Sequence, residues 1–141
     1  MNDDLSRFLK AQQSDYGRAL AEIRAGKKTS HWMWYIFPQL KGLGRSATSE
    51  YYGIRDLDEA RAYLAHPVLG ARLDEICRAL LALDTDNATQ VMGWPDDKKL
   101  KSSMTLFDVA TESSDVFQMV LDKYYCGKKY YRTLKMLGLQ E

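Results

Sequence analysis

Cysteine, histidine and proline are all scarce in this 141-residue sequence, at two, two and three residues. Cys77 and Cys126 stand far apart and form no Cys-x-x-Cys pair, which predicts reduced thiols rather than a disulfide framework. The two histidines add no zinc-ligand spacing, so neither a metal nor any other cofactor is expected. No apolar run approaches the roughly twenty residues that span a bilayer. The opening MNDDLSRFLKAQ is acidic and then amphipathic, unlike a signal peptide. These absences predict a cytoplasmic protein without a membrane partner. An excess of one charge is also missing, since 20 basic residues face 19 acidic ones for a net charge of +1. Such a balance gives no general electrostatic footprint for nucleic acid, and none is expected as a partner. The runs at Lys98, Lys99 and Lys101, and at Lys128 and Lys129, are the places for a local basic patch.

What is present is helical period. Hydrophobic content of 45% with 28% charged residues fits a globular chain, and the length suits one domain over 1–141. Leu5, Phe8, Leu9, Tyr16, Ala19, Leu20 and Ile23 recur at three- and four-residue steps, with Gln12 as the polar exception. They predict a helix over 4–25, capped by Asp3 or Asp4 and ended by Gly26. Ser30 predicts the cap of a short buried helix from His31 to Phe37, which must stop before Pro38. A loop with glycines at 42, 44 and 53 follows, with one helical turn around Thr48 to Tyr52. Asp56 and Glu59 have capping-box spacing for a helix through Leu64. Pro67 opens the next helix, whose stripe runs from Leu69 to Leu83. Asp86 caps a short helix over Asn87–Met92 that Gly93 closes. Residues from Pro95 to Ala110 read as helix, with acids in the first turn. Ser113 or Ser114 caps a helix carrying Val116 to Tyr124, and a last helix over 130–137 ends at Gly138. The fold class is therefore all-α: a single compact multi-helical domain of about seven to nine helices, several of them short.

One stretch departs from this ordinary pattern. Residues 26–52, GKKTSHWMWYIFPQLKGLGRSATSEYY, hold two of three tryptophans, one of two histidines and three of nine glycines. Rings, permissive backbone and titratable groups together suit a pocket wall. His31, in a first helical turn, would stay neutral and able to accept a proton. Glu50 is the best-placed carboxylate for acid–base work, because a glycine-flanked loop beside aromatics can desolvate it. Trp34 offers a ring for stacking, Gln39 an amide at the rim, and Gly44 close backbone approach. Lys98 and Lys99, one turn from Ser102 and Ser103, can hold a phosphate. Each has a plainer explanation: a locally bonded histidine, solvated charges, and aromatics that fill the core.

The segments RFLKAQ (Arg7–Gln12), HWMWYIFPQLKGLG (His31–Gly44), AHPVLGARL (Ala65–Leu73) and KLKSSMTLF (Lys99–Phe107) carry a resemblance. With them the chain, from Arg7 to Leu137, closely resembles a bacterial family of unknown function, domain-of-unknown-function family 1810. The resemblance implies a compact all-helical domain and no established activity, cofactor or catalytic residue. Where such sequences carry an acid after Gly-Lys-x, Gly127, Lys128 and Lys129 lead here to Tyr130. A shorter similarity covers Thr48, Ser49, Glu50, Tyr51 and Tyr52, which look like the T-S-E-H-Y segment of helical domains thought to act on ADP-ribose derivatives. That likeness implies a site role for Glu50 and puts Tyr51 where those domains have histidine.

Two functions compete. The first is a small-molecule site for a nucleotide or ADP-ribose-like ligand, with Glu50 or His31 as base for hydrolysis and Trp34, Gln39, Gly44, Tyr51 and Lys99 binding. The second is a non-enzymatic interaction domain using Tyr124, Tyr125, Tyr130 and Tyr131, for which helix packing is the plainer explanation. The sequence does not fix an oligomeric state.

Overall fold

The structure, a computed structural model, describes residues 5–139. Among these, nine helices follow one another: α1 (Ser6–Arg24), α2 (Met33–Ile36), α3 (Ala47–Tyr52), α4 (Leu57–Ala65), α5 (Leu69–Leu81), α6 (Ala88–Met92), α7 (Asp96–Ala110), α8 (Val116–Tyr125) and α9 (Tyr131–Met136). The all-helical expectation is met. The one β feature among the described residues is an isolated parallel bridge between Leu40 and Ile54.

Helix α7 is the central element. Leu100, Met104, Leu106, Phe107 and Ala110 are buried on it, and it packs against α4, α6, α8 and α9. Its polar residues sink too: Ser102, Ser103 and Thr105 are all buried. Ser102 Oγ shares a 2.9 Å hydrogen bond with Thr133 Oγ1 on α9, and Thr105 Oγ1 donates to the Lys101 carbonyl. Thr105 Oγ1 also accepts from the Tyr130 amide at 2.8 Å. These bonds fasten α9 onto α7. Helix α5 fills the other side between α1, α4 and α8, contributing the predicted stripe of Leu69, Leu73, Ile76 and Leu80. Each such side chain stabilises the fold by roughly 1.5–3 kcal/mol on burial.

Buried polar groups lock α1 to its neighbours. The Arg7 guanidinium meets Glu59 at 3.3 Å and donates to the carbonyls of Tyr51 (2.8 Å) and Gly53 (3.0 Å). Gln12 Nε2 donates to the Tyr35 carbonyl at 2.7 Å and to the Tyr63 hydroxyl at 2.9 Å. The polar exception in the α1 stripe is thus a satisfied core residue.

Helix ends follow the sequence closely, with five differences, the first at α8, where Asp115 rather than Ser113 or Ser114 holds the N-cap position and Ser114 Oγ accepts from the Val116 amide. Asp56 caps α4 through the Glu59 amide at 3.0 Å, but the Glu59 side chain turns to the Arg55 amide and Arg7 instead of completing the box. Pro67 lies ahead of α5, whose first amides are met by His66 Nδ1, accepting from Val68 and Leu69. Asn87, not Asp86, caps α6, accepting from the Gln90 amide. Ser30 does not cap α2, which starts at Met33; its hydroxyl donates to Glu22. Asp3 and Asp4, proposed as caps for α1, lie outside the described residues.

Candidate functional site

The first part of the 26–52 segment is held shut. Glu22 on α1 accepts from the amides of Thr29 (2.8 Å) and Ser30 (3.0 Å), from Ser30 Oγ (2.6 Å) and from Trp32 Nε1 (2.9 Å). Burial alone would raise its carboxyl, but these hydrogen bonds outweigh burial and hold it down to about 2. Lys28 sits over the Trp32 ring at 4.8 Å and pairs with Asp96 at 2.8 Å, joining this loop to the start of α7. The Tyr35 hydroxyl bonds to Asp15, and burial, then that acid, push the phenol up. Trp32, Met33, Ile36 and Phe37 are consequently core residues.

The second part of the segment forms a wall. The Lys41 amide donates to the Ile54 carbonyl at 2.8 Å and the Ile54 amide to the Gln39 carbonyl at 2.9 Å, so residues 39–41 run beside 53–54. Gly53 allows this approach: a Cβ there would stand 2.6 Å from Lys41 Cα. Gly44 does the same for the α3 turn, since a Cβ would stand 2.4 Å from Ser49 Oγ. No residue of α3 is buried.

Between this wall and α7 lie two hollows that share Gln39 and Lys99. The inner one is a crevice lined by Met33, Trp34, Phe37, Ser49, Tyr52 and Gly53 with those two residues. At about 10 Å³ it has room for roughly one water. The outer one is an open groove of about 180 Å³, bordered by Gly44, Pro95, Lys98, Tyr130 and Arg132 as well. The Lys99 ammonium stands 5.6 Å from the Trp34 ring centroid, a cation–π distance, at the junction of the two. Its carboxylate neighbour, Asp96, is 3.8 Å away and already pairs with Lys28 at 2.8 Å. Lys99 is therefore only partly neutralised. No carboxylate lines the groove, and among the described residues neither Lys98 nor Arg132 forms a salt bridge.

Of the residues singled out in the sequence, Trp34, Gln39, Gly44 and Lys99 border these hollows. The proposed acid–base pair is not brought together there. His31 and Glu50 are both exposed, and neither lines the crevice or the groove. Glu50 lies on α3, none of whose residues is buried, and His31 precedes α2. Tyr51 is 59% exposed, its ring edge-on to Tyr52 and its carbonyl held by Arg7. Ser102 and Ser103 cannot join Lys98 and Lys99 around a phosphate, because one turn further along α7 the same face has passed beneath α9. Ser103 Oγ is buried without a hydrogen-bond partner.

Arg132 escaped the sequence reading, since it reaches the groove from a different helix over thirty residues beyond Lys99, and Tyr130 stood out there only as an interface candidate. Tyr124 and Tyr125, proposed as interface residues, donate to the carbonyls of Leu80 and Asp97 as helix-packing groups. Among the described residues no cluster of potential metal ligands occurs and no helix is long and apolar enough to cross a membrane.

Comparison with known proteins agrees with this fold. A conserved hypothetical protein of Mycobacterium tuberculosis, Rv1873, known from a crystal structure at 1.38 Å, is 46% identical. The similarity covers 96% of each chain with a TM-score of 0.94. No curated protein matches the chain. Residues 2–137 match the family described as protein of unknown function, DUF1810. With nearly its whole length matched, the chain belongs to that family.

Proposed function

We propose that the protein binds a small phosphate-bearing ligand, of the nucleotide or ADP-ribose class, in the groove bordered by Gln39, Gly44, Lys98, Lys99 and Arg132. The observation that carries this reading is three cations around one groove with no carboxylate among its lining residues. Cations concentrated in a hollow favour an anion more strongly than the same charges spread on a convex surface, because the low-dielectric walls focus their field. Arg132 offers a planar fork for two phosphate oxygens, and Lys99 a compact ammonium. The Gln39 amide supplies a neutral donor or acceptor, and Gly44 leaves backbone accessible. The crevice behind is too small for a ring, so Trp34 acts by holding the Lys99 ammonium rather than by stacking on the ligand.

The reading is one of binding. No hydrolytic step is assigned, since neither Glu50 nor His31 lines the groove. Isothermal titration with pyrophosphate, ADP and ADP-ribose tests it. Binding in the micromolar to millimolar range is expected, lost by at least about tenfold in Lys99→Met and in Arg132→Gln, since one charge-assisted contact contributes roughly 1.5–3 kcal/mol. Absence of heat with all three ligands at millimolar concentration contradicts it.

A further inference from the structure

A second hollow of about 500 Å³ adjoins the start of α9, lined by Gly127, Lys128, Lys129, Tyr131 and Leu134. It too has no carboxylate among its lining residues. Tyr130 and Arg132 border the first hollow, and Tyr131 between them borders the second. The divide between two basic hollows thus carries an aromatic ring, 55% exposed. Pro95, which borders the first groove, follows in sequence Trp94, the most exposed large apolar side chain among the described residues, at 73%.

We infer that these two hollows form one track for single-stranded nucleic acid, with successive phosphates along Lys98, Lys99, Arg132, Lys128 and Lys129 and bases stacked on Tyr131 and Trp94. This rests on the groove being an anion site, and it extends that reading from a small ligand to a chain of phosphates. Overall neutrality is no obstacle. Removing these five cations from a net charge of +1 leaves −4 on the rest of the protein, and no carboxylate lines either hollow, so the five are grouped without acids among them. Two track cations are tempered: Lys99 has Asp96 at 3.8 Å, and Lys129 meets Asp108 at 3.3 Å and donates to Gln118 at 2.7 Å; Lys128 is exposed. Exposed rings interleaved with cations match how single strands are held, where stacking is tolerant of sequence and phosphates supply the salt dependence. A membrane surface fits less well: the cations line concave hollows, and α9 is only six residues long, too short for an in-plane amphipathic helix.

Fluorescence anisotropy with a labelled oligo-dT and an oligo-U of about twelve nucleotides tests the track. The comparison ligands are a labelled mononucleotide, pyrophosphate by calorimetry, and vesicles rich in phosphatidylserine as competitor. Oligonucleotide is expected to bind at least about tenfold tighter than mononucleotide, with log K falling against log salt at a slope of about −2 to −3.5, as for three to five phosphate contacts on a single strand. Tyr131→Ala and Lys128→Gln, which lie outside the first groove, should each weaken oligonucleotide about five- to tenfold and leave pyrophosphate unchanged. Oligonucleotide no tighter than mononucleotide overturns the track and leaves the groove standing. So does oligonucleotide affinity indifferent to both variants, or displacement of the oligonucleotide by the vesicles at lower concentration than by unlabelled strand. Failure of pyrophosphate and oligonucleotide alike overturns both readings.

Discussion

Residues 28–37 and residues 39–53 are neighbours in sequence and opposites in environment. The first stretch is riveted to α1 by side chains: Glu22 takes four hydrogen bonds, Gln12 holds the Tyr35 carbonyl, and Asp15 holds the Tyr35 hydroxyl. The second stretch hangs on backbone: two amide–carbonyl bonds of the Leu40–Ile54 bridge, plus the two carbonyls that Arg7 reaches from below. The first therefore belongs to the core and the second to a wall with open space in front of it. A run of aromatic residues marked where the chain is buried, and the glycines that follow marked where it can face a ligand.

That contrast can be broken at both ends. The largest effects should fall on the riveted stretch. Trp32 is fully buried with its indole nitrogen bonded to Glu22, so Trp32→Ala should cost about 3–5 kcal/mol in urea unfolding. Glu59→Ala comes next, at about 3 kcal/mol, since it removes the carboxylate facing the buried Arg7 guanidinium; a milder loss would mean that its remaining partners, the carbonyls of Tyr51 and Gly53 among them, suffice for that charge.

Glu22→Gln should cost about 2 kcal/mol at neutral pH, after allowing for solvent screening of a half-buried group. The sign follows from a folded value of about 2, below the ordinary 4.5. A depressed carboxyl stabilises fully above its unfolded value and loses that contribution as pH falls through the window from about 4.5 to 2. Stability curves of the two proteins, measured between those limits, should therefore converge on acidification; a gap that stays constant contradicts the latch.

On the wall, Gly53→Ala should cost about 1–3 kcal/mol, because the added methyl meets Lys41 backbone rather than a movable side chain. The smallest effect on stability belongs to the groove itself. Lys98→Gln and Arg132→Gln should stay within about 0.5 kcal/mol of the parent, as expected for surface groups without salt-bridge partners. If either unfolds the protein, those cations are structural and the groove loses its meaning.

The helices were legible in the sequence because burial imposes a period of 3.6 wherever one face meets a core, and α1, α5, α7 and α8 each have such a face. The cap at Asp56 was legible, but not the one a ring provides at His66 before α5, and at α6 the cap is Asn87 rather than its neighbour Asp86. The groove was half legible. Trp34, Gln39, Gly44 and Lys99 stood out by residue type, but Arg132 arrives from α9 through tertiary packing that no local spacing reveals. His31 and Glu50 stand out by chemistry and by their place in the 26–52 segment, but sequence position does not say on which side of a short helix a side chain emerges, and neither lines the hollows. Ser102 and Ser103 show the converse: spacing placed them one turn from the lysines, while α9 covers that turn.

The central claim is that the hollow between the 39–44 wall, the start of α7 and α9 is where an anion sits. Amide chemical-shift mapping of the protein titrated with pyrophosphate tests it most directly. Saturable shifts are predicted at Gln39–Gly44, Lys98–Lys99 and Tyr130–Arg132, with Glu50 and His31 quiet. Shifts confined to another face, or none at millimolar pyrophosphate, would contradict the account.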